Sequence, residues 1–129
     1  MAELVVGTAD VVLPAACLVT DDVGHFVYPT GASVGDVLQV TRVDVMVFGQ
    51  MPALGVIVEK LTATSCLVLF MGLYAFGPIT PGKLCFIGTD ARLSTIRPPA
   101  PAHVQHVGVS VDTARVFLNM NPLLIKLTA

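Results

Sequence analysis

Apolar residues fall along this chain in runs of four to eight, rich in Val, Ile, Leu and Phe, and no stretch repeats with a helical period. The runs are separated by Gly, Pro, Asp and Thr, which marks strands and turns rather than helices. The pattern predicts strands near 11–19, 25–28, 37–41, 54–60, 65–71, 84–87, 106–112, 114–119 and 123–127. Turn signals such as Gly77-Pro78, Pro81-Gly82 and Pro98-Pro99 punctuate them. The expected fold is all-β, a compact barrel or sandwich of about nine short strands in a single domain, 1–129.

The pattern also echoes itself. Gly55-Val56-Ile57-Val58-Glu59 followed by Cys66-Leu67-Val68-Leu69-Phe70-Met71 reads like Gly108-Val109-Ser110-Val111-Asp112 followed by Arg115-Val116-Phe117-Leu118-Asn119-Met120. Upstream, Pro14 to Asp21 leading to Gly24-His25-Phe26-Val27 matches Pro81 to Asp90 leading to Ala91-Arg92-Leu93-Ser94. The echo predicts an internal two-fold repeat, two units closing on one core, with residues 36–52 as an insertion in the first. Chance likeness between short β patterns is the alternative reading. Residues 1–10 are read as an N-terminal arm and 121–129 as a tail strand.

Composition sharpens this picture. Of 129 residues, 54% are apolar and only 12% charged, about half the usual charged share of about 25%. So few charges cannot cover the surface of a domain this small, so the excess apolar surface is expected to be shielded by neighbouring subunits. A membrane is the rival cover, but the longest nearly apolar run, Cys66 to Gly77, falls short of the roughly 18–20 residues of a spanning helix. Its strands are apolar on both faces, unlike the alternating wall of a lipid-facing barrel. Net charge is −2 and the basic residues are scattered from Arg42 to Lys126, so no nucleic-acid partner is expected. Met1-Ala2-Glu3-Leu4 lacks the basic start of a secretory signal. Cys17, Cys66 and Cys85 lie within apolar runs and read as buried thiols from a reducing compartment, not as metal ligands.

Three motifs suggest chemistry, and each has a plainer reading. Gly31-Ala32-Ser33-Val34-Gly35 fits a hydrolase nucleophile elbow, but the elbow needs a strand-to-helix turn, and no amphipathic helix follows Ser33. His103 and His106 have a spacing that could serve a metal on a helix, yet Pro98, Pro99 and Pro101 make the segment extended and no third ligand is near. His25 follows Asp21 and Asp22 in an Asp-Asp-x-Gly turn, which explains both acids. No catalytic residue, metal ligand or cofactor is expected, and the chain is read as a non-enzyme. The candidate interface residues are apolar. Met46, Phe48 and Met51 lie in the 36–52 segment, where they either meet a partner or cap one end of the barrel. Leu4, Val5 and Val6, with Leu123, Leu124 and Ile125, occupy ends that are usually polar, and strand-like ends suit addition to a neighbour's sheet edge.

The run Pro14-Ala15-Ala16-Cys17-Leu18-Val19-Thr20-Asp21, the Gly24-His25-Phe26 turn and Ala53-Leu54-Gly55-Val56-Ile57-Val58 with its paired strand resemble the core of tailed-bacteriophage capsid decoration (cement) proteins of the lambda head type. The second half, from Pro81 through Asn119, is similar to modules of phage head and tail fibre proteins. The resemblance covers most of residues 13–120 and lies in pattern rather than in one motif. It implies a β-barrel-like virion structural protein, made in the host cytoplasm, that assembles as a homotrimer and seats on the major capsid protein at the capsid surface. A tail, baseplate or head-fibre component is the alternative within the same particle. A small-molecule-binding β-barrel, with convergent polar groups inside it, is the alternative of another class.

Overall fold

The structure, a computed structural model, describes residues 10–35, 37–120 and 125–126. The described chain is all β. Its strands are β1 (Val11–Ala16), β2 (Phe26–Val34), β3 (Val37–Arg42), β4 (Gly55–Thr62), β5 (Ser65–Ala75), β6 (Leu84–Ile87), β7 (Leu93–Ser94), β8 (His103–Val104), β9 (His106–Ser110), β10 (Arg115–Asn119) and β11 (Ile125–Lys126). A single 3-10 turn covers Phe48–Gln50.

One sheet holds nine of these strands in the order β1-β3-β2-β4-β5-β10-β9-β6-β7, and β8 pairs separately with β11. The pairing of β1 back onto β5 closes the first five strands into a small barrel. Closure removes their free edges. β5 is the joint of the molecule. Residues 65–69 pair with β4, while residues 71–75 pair with β10 and lead into the second half of the sheet.

Two cores lie on opposite faces of the strands they share. Ala15, Cys17, Val27, Val40, Ile57, Cys66 and Val68 fill the barrel. A larger cluster, including Phe26, Val56, Leu69, Val107, Val116 and Leu118, packs between the barrel wall and the second half. Successive strand residues point to opposite faces. Phe26 and Val27, Val56 and Ile57, and Val68 and Leu69 are therefore neighbours in sequence that enter different cores. That is why β4 and β5 read as continuously apolar, and each fully buried Val, Leu or Ile contributes about 1.5–3 kcal/mol.

The internal echo holds at its hairpins and changes upstream of them. The pairs β4–β5 and β9–β10 are both antiparallel hairpins. Each carries a glycine where its partner's backbone comes too close for a side chain: a Cβ on Gly55 would meet the Leu69 carbonyl, and one on Gly108 the Phe117 carbonyl. Upstream, however, β1 joins β3 and β5, whereas its counterpart β6 joins β7 and β9. The barrel is thus closed by the first five strands, with the second half attached to its side. β3, inside the 36–52 segment expected to be an insertion, is a wall strand that pairs parallel with β1 and antiparallel with β2.

Candidate self-association surface

β10 shows how the second half divides its residues. Arg115, Phe117 and Asn119 are exposed while Val116 and Leu118 are fully buried. Strict alternation should put polar residues on the outer face, yet its centre is Phe117. Register extends the anomaly across the sheet. Phe117 stands opposite Leu73 of β5 and Val109 of β9, and Val109 stands opposite Leu84 of β6. Directly paired residues share a face. Leu73, Phe117, Val109 and Leu84 therefore form a continuous apolar row over four strands, about 14 Å across at the usual strand spacing.

The row is open to solvent. Leu84 is 49% exposed, Val109 40% and Phe117 40%. Beside it runs a groove of about 480 Å³ lined by Leu84, His106, Gly108, Val109, Phe117 and Asn119, with Met120 at its end. His106 borders it with its ring edge-on to Phe86, at a centroid distance of 4.8 Å. Along β5, Met71 is also exposed and pairs with Val11 of β1, which widens the apolar area.

An ion pair lies at one end of this face. Arg115 Nη2 lies 2.7 Å from Asp112 Oδ2, and Arg115 Nε donates to the same oxygen at 2.8 Å. The Arg115 hydrogen bond, with the Ala114 backbone N–H, holds the Asp112 carboxyl below its usual range. The pair is internally neutralised, and at the β1 side of the row Asp10 Oδ1 accepts the Leu73 backbone N–H at 3.3 Å. Arg115 with Asp112 is the one ion pair among the described residues. Other large apolar side chains are exposed away from this face, notably Leu18, Val19, Leu61 and Ile96.

The residues singled out from sequence are distributed differently. Met46 is exposed, whereas Met51 is buried in the larger core. Phe48 lies in the 3-10 turn. Ile125 pairs with Val104 through β11 and β8. Leu4, Val5, Val6, Leu123 and Leu124 lie outside the described residues. Ser33 sits within β2, paired with Leu38, where the strand turns directly into β3 rather than into a helix. Sequence reasoning overlooked Leu73, Phe117, Val109 and Leu84. The available signal was the period-two pattern Arg115, Phe117, Asn119, which places a large aromatic between two polar positions.

The histidines have structural partners. His103 is buried, with its backbone N–H donating to the Val45 carbonyl at 2.7 Å and its Nδ1 3.0 Å from the same oxygen. His25 Nδ1 accepts the Asp22 backbone N–H at 2.9 Å. Burial, reinforced by Arg92 and Arg42, pushes the His25 pKa down. A base whose folded pKa is lowered binds its proton more tightly when unfolded, so stability falls as pH drops through the unfolded value of about 6.5. Wild-type urea midpoints are therefore expected to fall between pH 7.5 and 5.5. His25→Asn, which can keep the acceptor, should flatten part of that slope; an unchanged slope would remove His25 from the account.

Among the described residues, no three His, Cys, Asp or Glu side chains gather as a metal-ligand set. Among the described residues no helix is long and apolar enough to cross a membrane. The chain matches no family model, no curated protein and no solved structure.

Proposed function

We propose that this chain is a virion structural protein that associates with copies of itself and stabilises a bacteriophage capsid as a cement protein on the outer shell. The observation that carries the self-association is the apolar row Leu73–Phe117–Val109–Leu84 on an open sheet face. Water is a poor solvent for such a face, and the low charge of the chain leaves little to screen it. A standard contact covers about 800 Å² per partner, roughly a ninth of the 6978 Å² accessible surface. Repeated around a lattice, modest contacts of this kind add up by multivalency. The capsid setting rests on the sequence resemblance, with the major capsid protein as the second partner.

The barrel interior is filled by Ala15, Val27, Ile57, Cys66 and Val68, which counts against a carrier that holds its ligand inside the barrel. The test combines mass in solution with co-sedimentation on capsids that lack this protein. Wild type is expected to be oligomeric and to pellet with the shells. Phe117→Glu with Val109→Lys, on the exposed face, should keep the fold and weaken self-association at least about tenfold. Wild type that stays monomeric at high concentration would overturn the self-association. An oligomer that ignores capsids and pellets with tails would move it to the tail or baseplate.

A further inference from the structure

The barrel core holds two of the three cysteines side by side. β1 runs antiparallel to β5 with Ala15 opposite Cys66 and Ala16 opposite Ser65, and the Cys17 N–H continues the ladder to the Thr64 carbonyl at 3.0 Å. Cys17 is therefore the diagonal neighbour of Cys66. Both side chains belong to the cluster that fills the barrel, with Cys17 6% exposed and Cys66 fully buried. Diagonal neighbours usually have Cα atoms about 7–8 Å apart, and a disulfide spans about 4.4–6.8 Å, so closing the bond draws the strands together by about an ångström. Cys85 lies in the other core, where its thiol donates to the Lys83 carbonyl at 3.7 Å.

We propose that Cys17 and Cys66 are a latent disulfide, closed by exchange with a small-molecule disulfide, that staples the β1 end of the barrel to β5. Cys17, the more accessible of the two, gives up its proton and attacks one sulfur of the reagent, releasing the first small thiol and leaving a mixed disulfide. Cys66 then gives up its proton and attacks the Cys17 sulfur, releasing the second small thiol. Two protein thiols are oxidised and the reagent disulfide is reduced to two thiols. Burial, and then the neighbouring Cys17, push the Cys66 thiol up to about 12. Few thiolates exist at neutral pH under that condition, so the pair stays reduced in a thiol-rich compartment and closes slowly outside it. The bond would join residues 49 apart, a long loop by the chain-entropy account of stabilisation.

The test is oxidation of the folded protein by oxidised glutathione, followed by alkylation of the remaining thiols, mass measurement and peptide mapping. The expected product has lost two hydrogens, carries one alkylated thiol on Cys85 and yields a linked peptide pair holding Cys17 and Cys66. Its Tm should rise by several degrees and return on reduction. Cys85→Ala should form the same Cys17–Cys66 link with no thiol left to alkylate, which keeps the test independent of any folding defect in Cys17 or Cys66 variants. A glutathione adduct that persists on Cys17, a link to Cys85, or a Cys17–Cys66 link formed only in urea would overturn the proposal. None of these results depends on oligomeric state or capsid binding.

Discussion

Asp21→Ala is expected to destabilise the protein by about 3–4 kcal/mol, read as a lower urea midpoint with an unchanged slope. Asp21 is only 1% exposed, yet it carries three inward contacts. Oδ2 accepts the Leu18 N–H at 2.9 Å, and Oδ1 accepts both the Thr41 hydroxyl at 3.1 Å and the Arg42 N–H at 3.2 Å. Lys60 Nζ donates to its backbone carbonyl at 2.6 Å, which ties the same loop to β4. The carboxylate thus fastens the β1–β2 loop to β3. Removing it leaves three donors without their acceptor, and an unsatisfied buried donor costs about 1–3 kcal/mol. Thr41→Val removes one donor along with its bond and should cost about 1 kcal/mol. An Asp21→Ala protein within about 1 kcal/mol of wild type would mean that water reaches these groups.

Gly108→Ala should be similarly severe, at least about 3 kcal/mol, the upper end for overpacked sites. Its added Cβ would strike the Phe117 carbonyl and press on the Leu118 Cα. These are backbone atoms of a paired strand, so no rotamer change relieves them. The hairpin must open or shift, which would also displace Phe117 and Val109 from their aligned positions. Gly49→Ala is the matched control, because a Cβ there meets nothing within 4 Å. It should stay within about 0.5 kcal/mol of wild type. Equal losses in the two variants, measured by thermal or urea unfolding, would show that steric contact is not the cause.

Strand existence was legible in the sequence because apolar runs bounded by turn residues leave little alternative to β structure. Strand ends were less so. The second strand was expected near 25–28, yet β2 runs on to Val34 through an irregular register between Pro29 and Ser33. β5 continues through Gly72 to Ala75, four residues past its expected end, because β10 supplies a new partner there. β7 and β8, two residues each, carry too little pattern to be predicted. The burial of Met51 depends on a distant contact. The buried amide of Gln105 receives the Ala53 N–H at 2.7 Å and donates to the Ala53 carbonyl at 3.2 Å, holding the chain beside Met51 inward. Nothing local to Met51 announces that Ala53 has a partner 52 positions away. The Phe117 row is likewise a product of register, since its four members come from four strands.

The sharing of β2, β4 and β5 by both cores bears on how the molecule comes apart. Melting the barrel would strip one side of these strands and leave Phe26, Val56 and Leu69 without a rigid wall behind them. Opening the second half would do the same to Val27, Ile57 and Val68 from the other side. Neither part has a wall of its own to fall back on, so the fold should be lost and regained as one cooperative unit, with the amides at the centre of β5 among the last to exchange with solvent.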